Sequence, residues 1–405
     1  MKKMILIFAL ILTFAVNGCA AVPDEVKKDI KNYHGENNNI DPKNFKFTYI
    51  NTSDLKDSSQ KAIEKNYKQF NISQNIEFTS FPEEINQMEF KYTDNFEENY
   101  IDILKIFFTQ EELNSQEINL NSSKSGSKSY SFFNENNRVY GCVSDNGFVS
   151  MLKPDAFDIS FSYNDPNIKI YHADRNEDLS DTYQLKNGSC SVKDAVDYIN
   201  NWFETNYKKI APDYDYRVKT VIVRKHENYH LFEIHTEIFY RDIPLDNLSM
   251  EAETDEENLK MHMIYTSNNV TIQMLNVNQI DSFTNGTGIL QPVKAEKIEE
   301  CISLESALKF CETTFTDFRN ITISDIGIKY TTSPDYDYIN NQEPYAPGIS
   351  VASRPVWEFI IDVSPSEFLR EGEINTYGEV RKYIYIDILT GELHYNLDVV
   401  LQGMG

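Results

Sequence analysis

Ser191-Val-Lys-Asp-Ala-Val-Asp-Tyr-Ile-Asn-Asn-Trp-Phe203 carries the pattern from which the fold is read. Val192, Ala195, Val196, Ile199 and Phe203 fall at i, i+3, i+4, i+7 and i+11, one apolar stripe of a 3.6-residue helix. Ser191 is a natural N-cap with Asp194 at N3, so the helix has a defined start. After Pro212 the apolar period drops to two. Tyr216–Arg224, Tyr229–Tyr240 and Leu259–Tyr265 then read as antiparallel strands. A helix with one apolar stripe and strands with one apolar face bury each other by stacking, which predicts an α+β arrangement with the helix across one face of the sheet.

The same plan returns 112 residues later. Ser303 aligns with Ser191, and Leu304, Ala307, Leu308, Cys311 and Phe315 align with the first stripe, with Phe318 beyond it. Ile326–Thr331, Val356–Val363, Lys382–Leu389 and Leu393–Val400 follow as strands. The expectation is a duplicated module of a helix followed by a β-meander, too long a period for a solenoid.

Working toward the N-terminus, Tyr100, Ile101, Leu104 and Phe107 give a further helical stripe within 96–108. Tyr130–Phe133, Arg138–Val143 and Phe148–Leu152 alternate as strands, with Asp145-Asn146-Gly147 as a hairpin turn because Asn and Gly tolerate positive φ. Residues 19–75 are polar and turn-rich and read as a tether. The expected organisation is 1–18 leader, 19–75 tether, and three α+β modules at 76–182, 183–290 and 291–405.

Composition narrows the function. Removing residues 1–18 leaves 36 basic and 63 acidic residues, a formal charge of −27. Such a polyanion repels nucleic acid and anionic lipid head groups, so nucleic acid is not expected as a partner; the acidity reads first as a solvated surface that aids solubility, with a cationic partner or Ca²⁺ as the lesser reading. The leader itself is Met1-Lys2-Lys3-Met4, then an apolar run from Ile5 to Val16, then Asn17-Gly18-Cys19. A basic start, a 12-residue apolar core and small residues form a secretory signal, too short to span a bilayer. Gly18-Cys19 resembles the bacterial lipobox. That resemblance implies cleavage before Cys19 and a lipid on its sulfur, hence an extracytoplasmic protein held at the cell membrane by the lipid anchor at Cys19.

Within 291–405, Ser303-Leu-Glu-Ser-Ala-Leu308, Trp357-Glu-Phe-Ile-Ile-Asp-Val363 and Tyr385-Ile-Asp-Ile-Leu-Thr-Gly-Glu-Leu393 resemble the helix, middle strand and closing hairpin of PepSY-like domains. The resemblance covers about a quarter of the chain and departs from the pattern at 334–355 and 364–380. In the hairpin, Thr390-Gly391 supplies the corner, and Asp387 is placed to accept backbone hydrogen bonds. More loosely, Tyr229–Pro244 resembles extracytoplasmic regulators of sensor kinases of the YycH and YycI type. Both resemblances imply a non-catalytic binding or regulatory module acting on another envelope protein, with no cofactor.

His226-Glu227-Asn228-Tyr229-His230 is a literal HExxH. A zinc peptidase needs both histidines on one helical face with the glutamate as general base, and Glu251 or Glu253 would supply a third ligand. The flanks alternate with period two, which instead puts 226–229 at a hairpin corner. A surface metal site of His226, His230 and His235 is the lesser variant. His34, His172, His262 and His394 are scattered, and Asp213-Tyr-Asp215 and Asp335-Tyr-Asp337 are too sparse for Ca²⁺. No catalytic residue, metal ligand or cofactor site is assigned. Tyr336, Tyr338 and Tyr345 form the candidate recognition loop, since exposed Tyr offers contact area at low entropic cost. A solute- or glycan-binding lipoprotein is an alternative compatible with 25 Tyr and 25 Phe. Cys142, Cys190, Cys301 and Cys311 allow three disulfide pairings, of which Cys301–Cys311 is disfavoured because Cys311 lies inside the helix that begins beyond Cys301.

Overall fold

A computed structural model describes residues 44–396 except 69, 74–75, 77–80, 83, 94–99, 123–127, 135–137, 158–167, 175–176, 227, 256–257, 266–269, 286–287, 315–320, 335–349 and 363–380. The chain enters through β1 (Tyr49–Asn51), α1 (Leu55–Ile63) and β2 (Phe70–Ile72). β3 (Asn86–Tyr92) precedes two helices, α2 (Tyr100–Phe107) and α3 (Gln110–Asn114). A meander follows: β4 (Asn119–Ser122), β5 (Lys128–Asn134), β6 (Val139–Ser144) and β7 (Val149–Leu152). β8 (Lys169–His172) and a small hairpin, β9 (Thr182–Gln184) and β10 (Ser189–Ser191), lead into α4 (Val192–Thr205). The central strands are β11 (Tyr214–His226), β12 (Tyr229–Tyr240), β13 (Ile243–Asp255), β14 (Asn258–Tyr265), β15 (Val270–Met274) and β16 (Ser282–Asn285). β17 (Leu290–Lys297) and β18 (Glu300–Ile302) bring the chain to α5 (Leu304–Thr314). It closes with β19 (Ile321–Pro334), β20 (Ser350–Asp362), β21 (Arg381–Asp387) and β22 (Leu393–Asn396).

The fold is α+β, strand-dominated and largely antiparallel. The parallel pairings among the described residues are β13 with β19 and β19 with β2. The stripe read from the sequence is the buried face of α4: Val192, Ala195 and Ile199 are fully buried and Phe203 nearly so. The Ser191 hydroxyl accepts the Asp194 amide at 3.0 Å, and the Ser303 hydroxyl accepts that of Ser306 at 3.2 Å. Burying a Val, Ile or Phe side chain contributes roughly 1.5–3 kcal/mol, so packing rather than propensity holds these helices.

Consecutive pairings run β8–β11–β12–β15–β16–β7–β6–β5–β4. β12 also pairs with β13 through Ile238–Tyr240, and β13 passes the sheet on to β19, β20, β21 and β22. The helices lie on one side. Phe203 stacks on Tyr216 at 5.0 Å between centroids, Phe107 meets Phe283 at 4.8 Å, and the Trp357 indole donates to the Ile302 carbonyl at 2.8 Å.

Ladders cross the expected boundaries near 182 and 290. β7 pairs with β16, β8 with β11, β13 with β19, and β3 with both β17 and β20. Periodicity reports which face of a strand is buried and is silent on its neighbour, so these joins were not legible. The expected tether is corrected from Phe45 onward. β1 pairs with β18, β2 pairs with β19, Leu55 and Ala62 of α1 are buried, and the rings of Phe45 and Phe47 each lie 5.1 Å from that of Phe310. Its helix, α1, spans Leu55–Ile63 within the stretch read as tether. Much of its packing is against distant chain, as where Phe45 and Phe47 meet Phe310, so its sequence looks like linker. Residues 1–43, with the leader and Cys19, lie outside the described residues.

Two turns match their sequence reading. Gly147 has φ +82°, and its amide donates to the Ser144 carbonyl at 3.0 Å between β6 and β7. The Asp387 carboxylate accepts the amides of Leu389 and Thr390 at 2.8 and 2.9 Å, while Gly391, at φ +76°, lies so close to the Phe47 ring that a side chain there would clash.

Candidate binding site on the polar face of the sheet

The HExxH segment is a hairpin corner. β11 ends at His226 and β12 begins at Tyr229, with His226 opposite Tyr229 and Lys225 opposite His230. Cross-strand partners share a face and neighbours along a strand alternate. His226 and His230 therefore point to opposite faces. The rings agree: His226 lies 5.3 Å from Tyr229, and His230 packs on Tyr183 at 5.1 Å on the helix side. His235 is six residues along β12 from Tyr229, about 20 Å at the rise of a strand. Neither the peptidase geometry nor the three-histidine surface site forms. Glu227 lies outside the described residues, as do the recognition-loop tyrosines Tyr336, Tyr338 and Tyr345, together with Asp335 and Asp337.

The remaining single-residue candidates are dispersed. His172 is buried on β8 opposite Thr220, His262 stands on β14, and His394 stands on β22 opposite Tyr385. Cys142, Cys190, Cys301 and Cys311 are free and buried. Burial pushes all four thiols up, Cys301 to about 11, which keeps them protonated and poor nucleophiles. Among the described residues no three His, Cys, Asp or Glu side chains are grouped as a metal site.

Opposite the helices, the sheet carries a polar face that no local motif announces. Cys142, Ser150, Thr284, Thr271, His235 and Thr220 are successive cross-strand partners, a row of hydrogen-bonding side chains running across β6, β7, β16, β15, β12 and β11. Beside this row the Arg224 guanidinium donates to Glu233 at 2.8 Å, and His235 lies 2.9 Å from the other Glu233 oxygen. Burial pushes the Glu233 carboxyl up; the hydrogen bond and charge of His235 and the Arg224 guanidinium outweigh it and hold it low.

Further along, the chain of charges crosses from β12 into the C-terminal strands. Lys219 reaches Glu237 at 2.8 Å; Lys329 of β19 lies 3.2 Å from Glu237 and 3.0 Å from Glu358 of β20; the Tyr385 hydroxyl of β21 donates to Glu358 at 3.1 Å. Lys329 is 1% exposed, so its ammonium group exists there only because two carboxylates replace its water. Burial pushes Glu237 up, and the two lysines more than reverse it, holding the carboxyl down at about 2. Glu237 and Glu358 serve here as fixed acceptors, and Lys329 as the bolt between them.

Gly327 sits in this face. It pairs with Glu358, which pairs with Tyr385, so the three occupy one row. The alternation Asp325, Gly327, Lys329 against Ile326, Ile328, Tyr330 was visible in the sequence and does place the first three on the polar side. What it could not show is which carboxylates would meet Lys329.

Comparison with known proteins adds the fold and no more. No family model matches the chain, and no curated protein matches it. An uncharacterized protein from Eubacterium rectale, known from a crystal structure, is similar in fold. It has 12% sequence identity and a TM-score of 0.51, with 84% of this chain and 98% of that chain covered. The molecule is thus of a strand-dominated α+β class with helices on one side of a long sheet.

Proposed function

We propose that the protein is an extracytoplasmic lipoprotein, held at the cell membrane through Cys19, that binds and regulates another envelope protein without catalysing a reaction. The observation that carries this reading is the polar face of the sheet, where ionisable groups are spent on one another in a fixed ladder rather than left poised for proton or group transfer. Two features of the chain support the address: the apolar leader ending in Gly18-Cys19, and a formal charge of −25 that keeps the body off anionic lipid. We further read 183–290 and 291–405 as copies of one helix-plus-meander module, the second PepSY-like. Supporting this, Ser191 and Ser303 both cap their helices, and the buried positions of α4 and α5 share the 112-residue offset.

The test is an in-cell crosslink of the tagged, lipidated protein, with captured proteins identified by mass spectrometry against Cys19→Ala. One dominant membrane kinase, protease or cell-wall enzyme that depends on lipidation is the expected result. Equal capture by the Cys19→Ala control removes the anchored-regulator reading.

A further inference from the structure

We propose that the groove beneath residues 45–51 is a strand-addition site for an extended aromatic-x-aromatic segment of a protein partner, kept shut by the chain's own strap until that segment displaces it. The proposal rests on the binding-module reading above and gives the partner a chemistry.

Occupant and seat differ in burial. Every residue from 44 to 54 is exposed or half-buried, and among the described residues the first buried one is Leu55 of α1. The seat is the reverse: Cys301, Ile302, Leu304, Phe310 and Ile388 are fully buried. Residues 45–51 therefore lie on the core without being enclosed by it, which marks them for local opening at low cost. Peeling them back to the turn at Thr52–Asp54 breaks the β1–β18 pairs and leaves α1 in place, with Lys65 still on Glu305 at 2.6 Å.

The contacts define what the groove reads. β1 adds to β18 through Tyr49–Ile302, Ile50–Cys301 and Asn51–Glu300. The Ser303 amide donates to the Thr48 carbonyl at 2.9 Å, and the Thr48 amide donates to the Ser306 hydroxyl at 2.9 Å. On the strap's side these are main-chain groups, so any extended segment can make the same bonds. Selectivity falls to two rings. Phe45 and Phe47, at i and i+2 on one face, lie 4.8 Å apart and each 5.1 Å from Phe310. Gly391, in the turn at φ +76°, leaves the space that the Phe47 ring fills, since a Cβ there would run into it. A partner segment with two aromatic residues at this spacing reproduces both anchors.

Weakening the occupant opens the groove without touching its walls. Wild type and Phe45→Ala/Phe47→Ala, each full-length in detergent micelles, are titrated with a fluorescein-labelled peptide of residues 44–52. A second titration uses the same peptide carrying both alanines, and anisotropy is read throughout. In wild type the attached strap competes at high effective concentration, so the peptide meets few open grooves. The expected result is binding to the variant at least tenfold tighter than to wild type, with no binding of the alanine peptide. Equal affinity for the two proteins, equal binding of the two peptides, or no binding at all overturns the groove. Should the variant lose its cooperative melt, hydrogen exchange of wild type decides. Amides of 45–52 should be at least tenfold less protected than those of 304–314, and equal protection makes the strap a fixed part of the fold. The two readings fail separately. In cells, capture of the partner should rise in Phe45→Ala/Phe47→Ala; capture that does not change sinks the groove and leaves the binding module standing. Phe-dependent peptide binding with no captured partner keeps the groove and removes the envelope regulator.

Discussion

Lys329 shows what one residue can decide. Its ammonium group is buried between Glu237 and Glu358, so it links β12 to β20 through charge. Removing one partner of a buried ion network leaves an uncompensated charge and costs about 3–5 kcal/mol. Lys329→Met should therefore lower stability by that order in urea unfolding at pH 7. The pH dependence has a definite sign. The Glu237 carboxyl titrates at about 2 in the folded protein against 4.5 ordinarily, so its contribution is fully present above pH 4.5. It is lost as pH falls through the window down to 2. Wild type should accordingly hold its stability further into acid than Lys329→Met, whose acid limb moves to higher pH. Coincident acid limbs for the two proteins would count against the network. The sequence announces none of this: a lysine in Ile-Gly-Ile-Lys-Tyr looks like any solvent-facing strand residue.

At the scale of elements, most of the structure was legible. Helix stripes at 192–203 and 304–311 are buried as their spacing requires, and the strands flanking His226 and Tyr229 form a hairpin because β-branched and aromatic residues alternate there. The caps are predictive as well. Ser191→Ala and Ser303→Ala should each lower stability by about 1 kcal/mol, and Ser303→Gly by only a few tenths, read as shifts in urea midpoint at constant m-value. An unchanged midpoint in both alanine variants would mean the helix starts are held by packing alone. The strap at 45–72 was not legible, since α1 and two three-residue strands carry too few apolar positions to set a period. The HExxH pattern misleads for the opposite reason: it is a motif without its helix.

Across the whole molecule, the strap ties the N-terminal approach of the chain to α5. Phe45 and Phe47 cover Phe310, next to Cys311 in sequence, and the Thr48 amide donates to the Ser306 hydroxyl at 2.9 Å. Ellman's reagent should leave Cys142, Cys190, Cys301 and Cys311 unmodified in the native protein. Phe45→Ala/Phe47→Ala should speed modification of Cys311 well above that of Cys142, because loosening the strap opens one end of the structure and not the other. Equal rates at the two thiols would show that the strap and the meander open together. Sequence by itself determined the α+β class, the buried face of each long helix and the hairpin corners. These follow from periodicity and turn chemistry, which act over a few residues. Only the tertiary structure decided that the expected modules share ladders, that His226 and His230 face apart, and that Lys329 meets Glu237 and Glu358 beside Gly327. Backbone hydrogen bonding is alike for every strand, so the choice of neighbour comes from how the whole chain closes, and the polar face exists only once that choice is made.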